Sequence, residues 1–118
     1  MEVNSRKKKN MKTNHVLLIG YVGKELEIKE TENSCKRVSI RMATHYLQKN
    51  EIGEKKFNTV WHDIVAWNEK AEYAERSFVK GSKIMVDGSI EYRKYLDRSG
   101  HTRYIVQIKA HSLINLDR

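Results

Sequence analysis

The chain has 118 residues, with 23 Lys and Arg against 15 Asp and Glu, a formal net charge of +8. That length allows one domain with a modest core, and the positive excess favours polyanion partners, nucleic acid before anionic membrane. The single cysteine, Cys35, excludes an internal disulfide, and no apolar run approaches membrane-spanning length, so a cytoplasmic protein without a membrane partner is expected.

Residues 1–13 are polar and charged without periodicity, and they read as a disordered basic extension. Within them Arg6, Lys7, Lys8, Lys9 and Lys12 stand against Glu2 alone, a local net of +4. Residues 14–113 form the predicted domain, and 114–118 a short C-terminal end. His15 to Val22 is a first strand, closed by Gly23, and Gly20 within it suggests a bulge or a sharp bend. Leu26 to Lys29 is a short, weak segment before the turn-like Glu32-Asn33-Ser34. From Arg37 to Tyr46 the sequence alternates, with Val38, Ile40 and Met42 on one side and Arg37, Ser39 and Arg41 on the other. This second strand therefore carries a basic outer face.

Residues 47–56 read as a polar connection, and 57–67 as a third strand antiparallel to the second. Its even positions Val60, Ile64 and Ala66 suit a core, and His62 among them reads as a satisfied or interface histidine. The odd positions include Trp61, Asp63, Val65 and Trp67, both tryptophans of the chain among them. An unpaired carboxylate would be costly to bury, so this side reads as a surface that leaves flat rings available. Asn68 fits a helix N-cap, Ala71, Ala74 and Phe78 follow at helical spacing, and Gly81 fits a C′ residue, predicting a helix over 69–80. A fourth strand over 83–95 places Ile84, Val86, Gly88, Ile90 and Tyr92 inward. Asp97-Arg98-Ser99-Gly100 is a turn, and a fifth strand over 103–110 places Tyr104, Val106 and Ile108 inward. Five strands with one short helix between the third and fourth describe an all-β OB-fold, a five-stranded Greek-key barrel.

Binding a single nucleic-acid strand needs cations along the phosphates and flat rings beneath the bases. Trp61 and Trp67 lie six residues apart on one strand face, about 20 Å, which suits two points along a path. Tyr46 ends the second strand, and Tyr95 stands near the tip of the last hairpin, framed by Arg93, Lys94 and Arg98. These four rings are the stacking candidates. Arg41, Lys49, Lys55, Lys56, Lys80, Arg93, Lys94, Arg98 and Arg103 are the phosphate candidates, with Asp63 and Glu91 placed to pair locally with Arg41 or Arg93. Ordinary barrel packing for a tyrosine and simple solvation for a lysine are the bland alternatives at each position.

Catalytic chemistry finds little support. His15, His45, His62, His101 and His111 are scattered, with no metal-ligand spacing, and Cys35 has no histidine partner near it in sequence. His62 and Asp63 are strand neighbours pointing to opposite faces, so they form no dyad. No catalytic residue, metal or cofactor is expected.

With those residues in view, the chain resembles the bacterial single-stranded DNA-binding protein family. The matching segments are Asn14 to Gly23, Met42-Ala43-Thr44, Thr59-Val60-Trp61-His62, Val79-Lys80-Gly81-Ser82, Val86-Asp87-Gly88, and Asp97-Arg98-Ser99-Gly100 leading to Arg103-Tyr104. They run in order over residues 14–110. The resemblance implies stacking roles for Trp61, Trp67, Tyr46 and Tyr95, and basic roles for Lys80, Arg93, Lys94 and Arg103. It also implies a homotetramer built as a dimer of dimers, with His15, Leu17 and His62 near subunit contacts, and a place on nucleoid DNA.

Three departures stand out. The sequence as given has no Gly/Pro/Gln-rich tail with an acidic tip for recruiting replication and repair proteins. Cys35-Lys36-Arg37 replaces a more apolar segment, and Asp63 stands where an arginine is common. The leading expectation is a coat protein for single-stranded DNA in replication, recombination and repair, binding without sequence preference. The alternative is a tailless OB-fold interaction module of the primosomal replication protein kind, for which protein contacts matter as much as DNA. A metal-dependent OB-fold nuclease ranks far behind both.

Overall fold

The computed structural model describes residues 13–117, so the basic stretch 1–12 lies outside the described residues. The elements are β1 (Val16–Val22), β2 (Glu27–Glu30), β3 (Lys36–Lys49), β4 (Lys55–Trp67), α1 (Glu69–Ser77), β5 (Lys83–Leu96) and β6 (Thr102–Asn115). The sheet runs β1-β5-β6-β4-β3-β2, and a further β1–β3 pairing closes five of these strands into a barrel, with β2 as an outer edge strand on β3. This is the OB-fold read from the sequence, with the single helix connecting β4 to β5.

Closure depends on two short seams. Tyr21 and Val22 of β1 pair with Ala43 and Met42 of β3. On the other side β4 meets β6 in parallel through Ile64 with Ile108 and Val65 with Lys109. Gly20 sits where β1 turns onto β3. A Cβ there would stand 2.1 Å from the Ala43 carbonyl oxygen, so glycine is required by close backbone approach rather than by a bulge. The irregularity lies in the β5–β6 ladder, between Asp87 and Gly88.

Val38, Ile40 and Met42 of β3, Ile64 and Ala66 of β4, Ile84 and Val86 of β5, and Ile108, Ala110 and Leu113 of β6 fill the barrel. One end is plugged by α1 through Ala71 and Ala74, with Phe78 beyond it. The helix is shorter than its sequence pattern, stopping at Ser77, because Phe78 already adopts extended backbone. Asn68 makes no side-chain cap. Its φ is +54°, and its Oδ1 instead accepts from the Lys36 backbone N–H at 3.2 Å, tying the end of β4 to the start of β3. Gly81, with φ +93°, serves the following turn and donates its N–H to the Val22 carbonyl at 2.8 Å.

Strands β3–β4 and β5–β6 extend well past the barrel as two long hairpins. The inward expectation fails on these extensions. Val60, Ile90, Tyr92, Tyr104 and Val106 are all exposed, because no opposing layer covers them there. Strand β6 also continues beyond residue 110 to Asn115, whose backbone N–H is accepted by the Tyr73 hydroxyl at 2.9 Å.

Candidate nucleic-acid interface

The outer face of β3 and β4 is a ladder of facing pairs: Arg37 with Trp67, Ser39 with Val65, Arg41 with Asp63, and Ala43 with Trp61. Strand alternation brings these side chains to one side, and antiparallel register sets each cation beside a ring or an acid. The Arg41 guanidinium lies 5.3 Å from the Trp61 ring centre, and that of Arg37 lies 5.8 Å from the Trp67 ring. Such stacking holds a ring and a positive charge in one place, which is what a base and its phosphate require together. Trp61 is 47% exposed and Trp67 37%, so each ring keeps an open face.

Trp61 is seated by Gly23. A Cβ at that glycine would come within 2.3 Å of the indole, so the ring edge rests where a side chain would otherwise stand. Between the tryptophans lies a shallow cleft of about 180 Å³, floored by β3 and β4 and walled by Arg93, Ile105 and Gln107 of the β5–β6 hairpin. Val65 is buried at its base although its position alternates outward, since it shares the cleft with Ile105 and Gln107.

Asp63 accepts from Arg41 Nη1 at 2.9 Å, the local pairing expected from sequence. Glu91 does not pair with Arg93; its Oε1 accepts from Gln107 Nε2 at 2.7 Å. Arg93 makes no ion pair among the described residues. Lys49, Lys55 and Lys56 cluster at the end of the β3–β4 hairpin, and Lys94 and Arg98 stand exposed on the β5–β6 hairpin. Arg103 is less free, because its Nε donates to Asp97 Oδ2 at 2.8 Å. That bond comes first among the causes holding the Asp97 carboxyl below its ordinary range, followed by the backbone N–H of His101. Lys80 is exposed beyond α1, away from the cleft.

Tyr46 and Tyr95 are both exposed, one on each long hairpin. Sequence reasoning missed Arg37 as a partner of Trp67, and missed Tyr92 and Tyr104 as available rings. Their flanking by Arg93, Lys94 and Arg103 was the usable signal, overridden by alternation. Of the three residues expected at subunit contacts, His15 and Leu17 lie together against Asp87, with His15 Nε2 2.9 Å from Asp87 Oδ1 and Leu17 exposed on β1, whereas His62 is on β4, half-buried with Nε2 2.9 Å from the Thr44 hydroxyl. Burial first, and then the Arg41 charge, push the His62 imidazole below its ordinary value. Among the described residues no three His, Cys, Asp or Glu side chains gather as metal ligands, and no helix is long and apolar enough to cross a membrane.

The description "Single-strand binding protein family" matches residues 13–116. The chain belongs to that family. Curated single-stranded DNA-binding proteins of Rickettsia felis and Rickettsia typhi are each 37% identical over 97 residues, covering 80% of this chain. The match spans 64% of the length of those relatives. Among solved structures, a Plasmodium falciparum chain described as an SSB complex with ssDNA superposes with a TM-score of 0.81 at 28% identity, over 92% of this chain and 98% of that one. A deletion mutant of the single-stranded DNA-binding protein from Thermus aquaticus superposes with a TM-score of 0.78 at 24% identity, over 88% of this chain and 50% of that one, a likeness of fold alone.

Proposed function

We propose that this chain binds and coats single-stranded DNA during replication, recombination and repair, in the cytoplasm and on nucleoid DNA, and performs no chemistry. Bases stack on Trp61 and Trp67, then on Tyr46 and Tyr95 along the two hairpins. Phosphates follow Arg41, Lys49, Lys55 and Lys56 on one side and Arg93, Lys94, Arg98 and Arg103 on the other, with Lys80 a peripheral charge. The observation that carries this reading is the pairing of each tryptophan with a stacked arginine on one exposed strand face. Stacking of this kind needs no particular sequence, and each base contributes roughly 1–3 kcal/mol.

The chain works as a homotetramer, a dimer of dimers. Support comes from the outer side of β1, where Leu17 and Ile19 are more than half exposed beside the His15–Asp87 pair. Tryptophan fluorescence titrated with oligo-dT tests the binding. Quenching is expected, with a log–log salt slope of about −0.7 for every phosphate contacted. Unchanged fluorescence together with no retained oligonucleotide would refute the reading.

A further inference from the structure

The outer sheet face does not end at Trp67. Parallel register sets Val65 of β4 beside Lys109 of β6, and Lys109 in turn faces Ser89 of β5. Ile64 and Ile108, one residue back on each strand, belong to the barrel core, so Val65 and Lys109 share the outer side with Trp67. On its β3 side the Trp67 ring carries the Arg37 guanidinium, 5.8 Å from its centre. On its β6 side lies a second cleft of about 390 Å³, lined by Trp67, by Lys70 in the first turn of α1, and by Lys109 and His111 of β6.

The fold leaves the charges of this cleft unmatched. Lys70 and Lys109 are exposed, and neither makes an ion pair among the described residues. An acid across the strands would stabilise a lysine on an open sheet face, but the neighbours of Lys109 are Val65 and Ser89. Glu69 is the one acid in the lining, against two lysines. His111 is tied to the sheet by Ser89, whose hydroxyl lies 3.1 Å from its Nε2. Many surface lysines are simply solvated. Place separates these two from that default: they flank an exposed ring on a binding face, and a ring beside a cation suits a base and its phosphate.

We propose that this cleft is a phosphate subsite, with Lys109 as its main cation and Lys70 as its second. The nucleotide next to the one stacked on Trp67 sets its phosphate here, so the strand turns across β6 instead of running off the end of β4. The inference rests on the single-stranded DNA reading above and deepens it. Binding stays tolerant of sequence, because the subsite touches the backbone and no base edge.

The test titrates the full 118-residue chain with oligo-dT and oligo-dC across a salt series. Lys109→Gln should lower the magnitude of the log–log salt slope by about 0.7, one phosphate contact, which is about fivefold in affinity at 0.1 M salt. Lys70→Gln should act in the same direction, and the double variant should exceed either alone. Arg76→Gln removes an equal charge from the last turn of α1, outside the cleft, and should leave the slope unchanged. Both lysines are exposed, so thermal melts should stay in place; if Lys109→Gln melts early, Lys70→Gln carries the test. A lysine variant whose slope matches that of Arg76→Gln overturns the subsite alone. A loss confined to one of the two oligonucleotides means a base contact and overturns the phosphate assignment. Failure of the unsubstituted chain to bind either oligonucleotide overturns the single-stranded DNA reading and the subsite with it.

Discussion

The barrel body and the two hairpins that leave it are made from the same strands, yet they obey different rules. Inside the barrel, every second residue of β3 and β4 is sealed: Val38, Ile40, Met42, Ile64 and Ala66 are at most 1% exposed. A few rungs further along the same ladders, Val60 and Phe57 are 41% and 72% exposed. On β5 and β6 the change falls between Ile108, which is buried, and Val106, which is not. Alternation alone therefore does not define a core. A side is buried only where another layer meets it, and where none does the same apolar residues become a binding surface.

That contrast can be broken most severely from the inside. Ile64→Ala removes a buried side chain at the β4–β6 seam and should cost about 2–5 kcal/mol of stability, read as the midpoint shift in denaturant unfolding. Tyr92→Ala on the hairpin should stay within about 0.5 kcal/mol in the same measurement. Comparable losses for the two would show that the hairpin is integral to the fold. On the outer face the effect should move from stability to affinity. Trp61→Ala should leave the melting transition nearly in place while costing roughly 1–3 kcal/mol of oligo-dT binding and most of the fluorescence quenching. Gly23→Ala sharpens the same point, since its new methyl displaces the indole from its seat without touching the core, so affinity should fall with Trp61 still present.

The smallest expected effect concerns His62, which sits where body gives way to hairpin. Its imidazole titrates below the ordinary 6.5, so the fold favours the neutral ring. Stability from this group is complete above the unfolded value and declines as pH falls through 6.5 toward the lower folded value. His62→Gln should flatten that decline in thermal melts run between about pH 7.5 and pH 5.5, bracketing the ordinary histidine value. An identical pH profile in the variant would assign the acid sensitivity to other groups.

Strand order, the helix and the tryptophan face were legible in the sequence because each rests on a local pattern: period-two alternation, Ala71, Ala74 and Phe78 at helical spacing, and the turn at Asp97 to Gly100. There the Asp97 carboxylate accepts the Ser99 and His101 backbone N–H groups, as the sequence of that turn suggests. What stayed hidden depended on distant partners. Asn68 matches an N-cap by type, but its side chain is drawn to the Lys36 backbone across the barrel end. The role of Gly23 is invisible without Trp61 above it, and the pairing of Arg37 with Trp67 appears only once the β3–β4 register is known. Tyr92 and Tyr104 were misread as core because nothing local says that the opposing layer has ended.

The parallel seam between β4 and β6 has a kinetic consequence. It comprises only two rungs, whereas β3–β4 and β5–β6 are each zipped along their length. The two hairpins connect residues close in sequence and can form early, while the seam must wait for chain ends more than 40 residues apart to meet. With the two-rung β1–β3 seam, it is one of the two short lines along which the finished barrel can part. In native-state hydrogen exchange, the amides that bond across this seam should open before those that bond within either hairpin ladder. Because Trp67 ends β4 just beyond that line, transient parting would loosen one stacking platform while Trp61, farther down the strand, stays fixed.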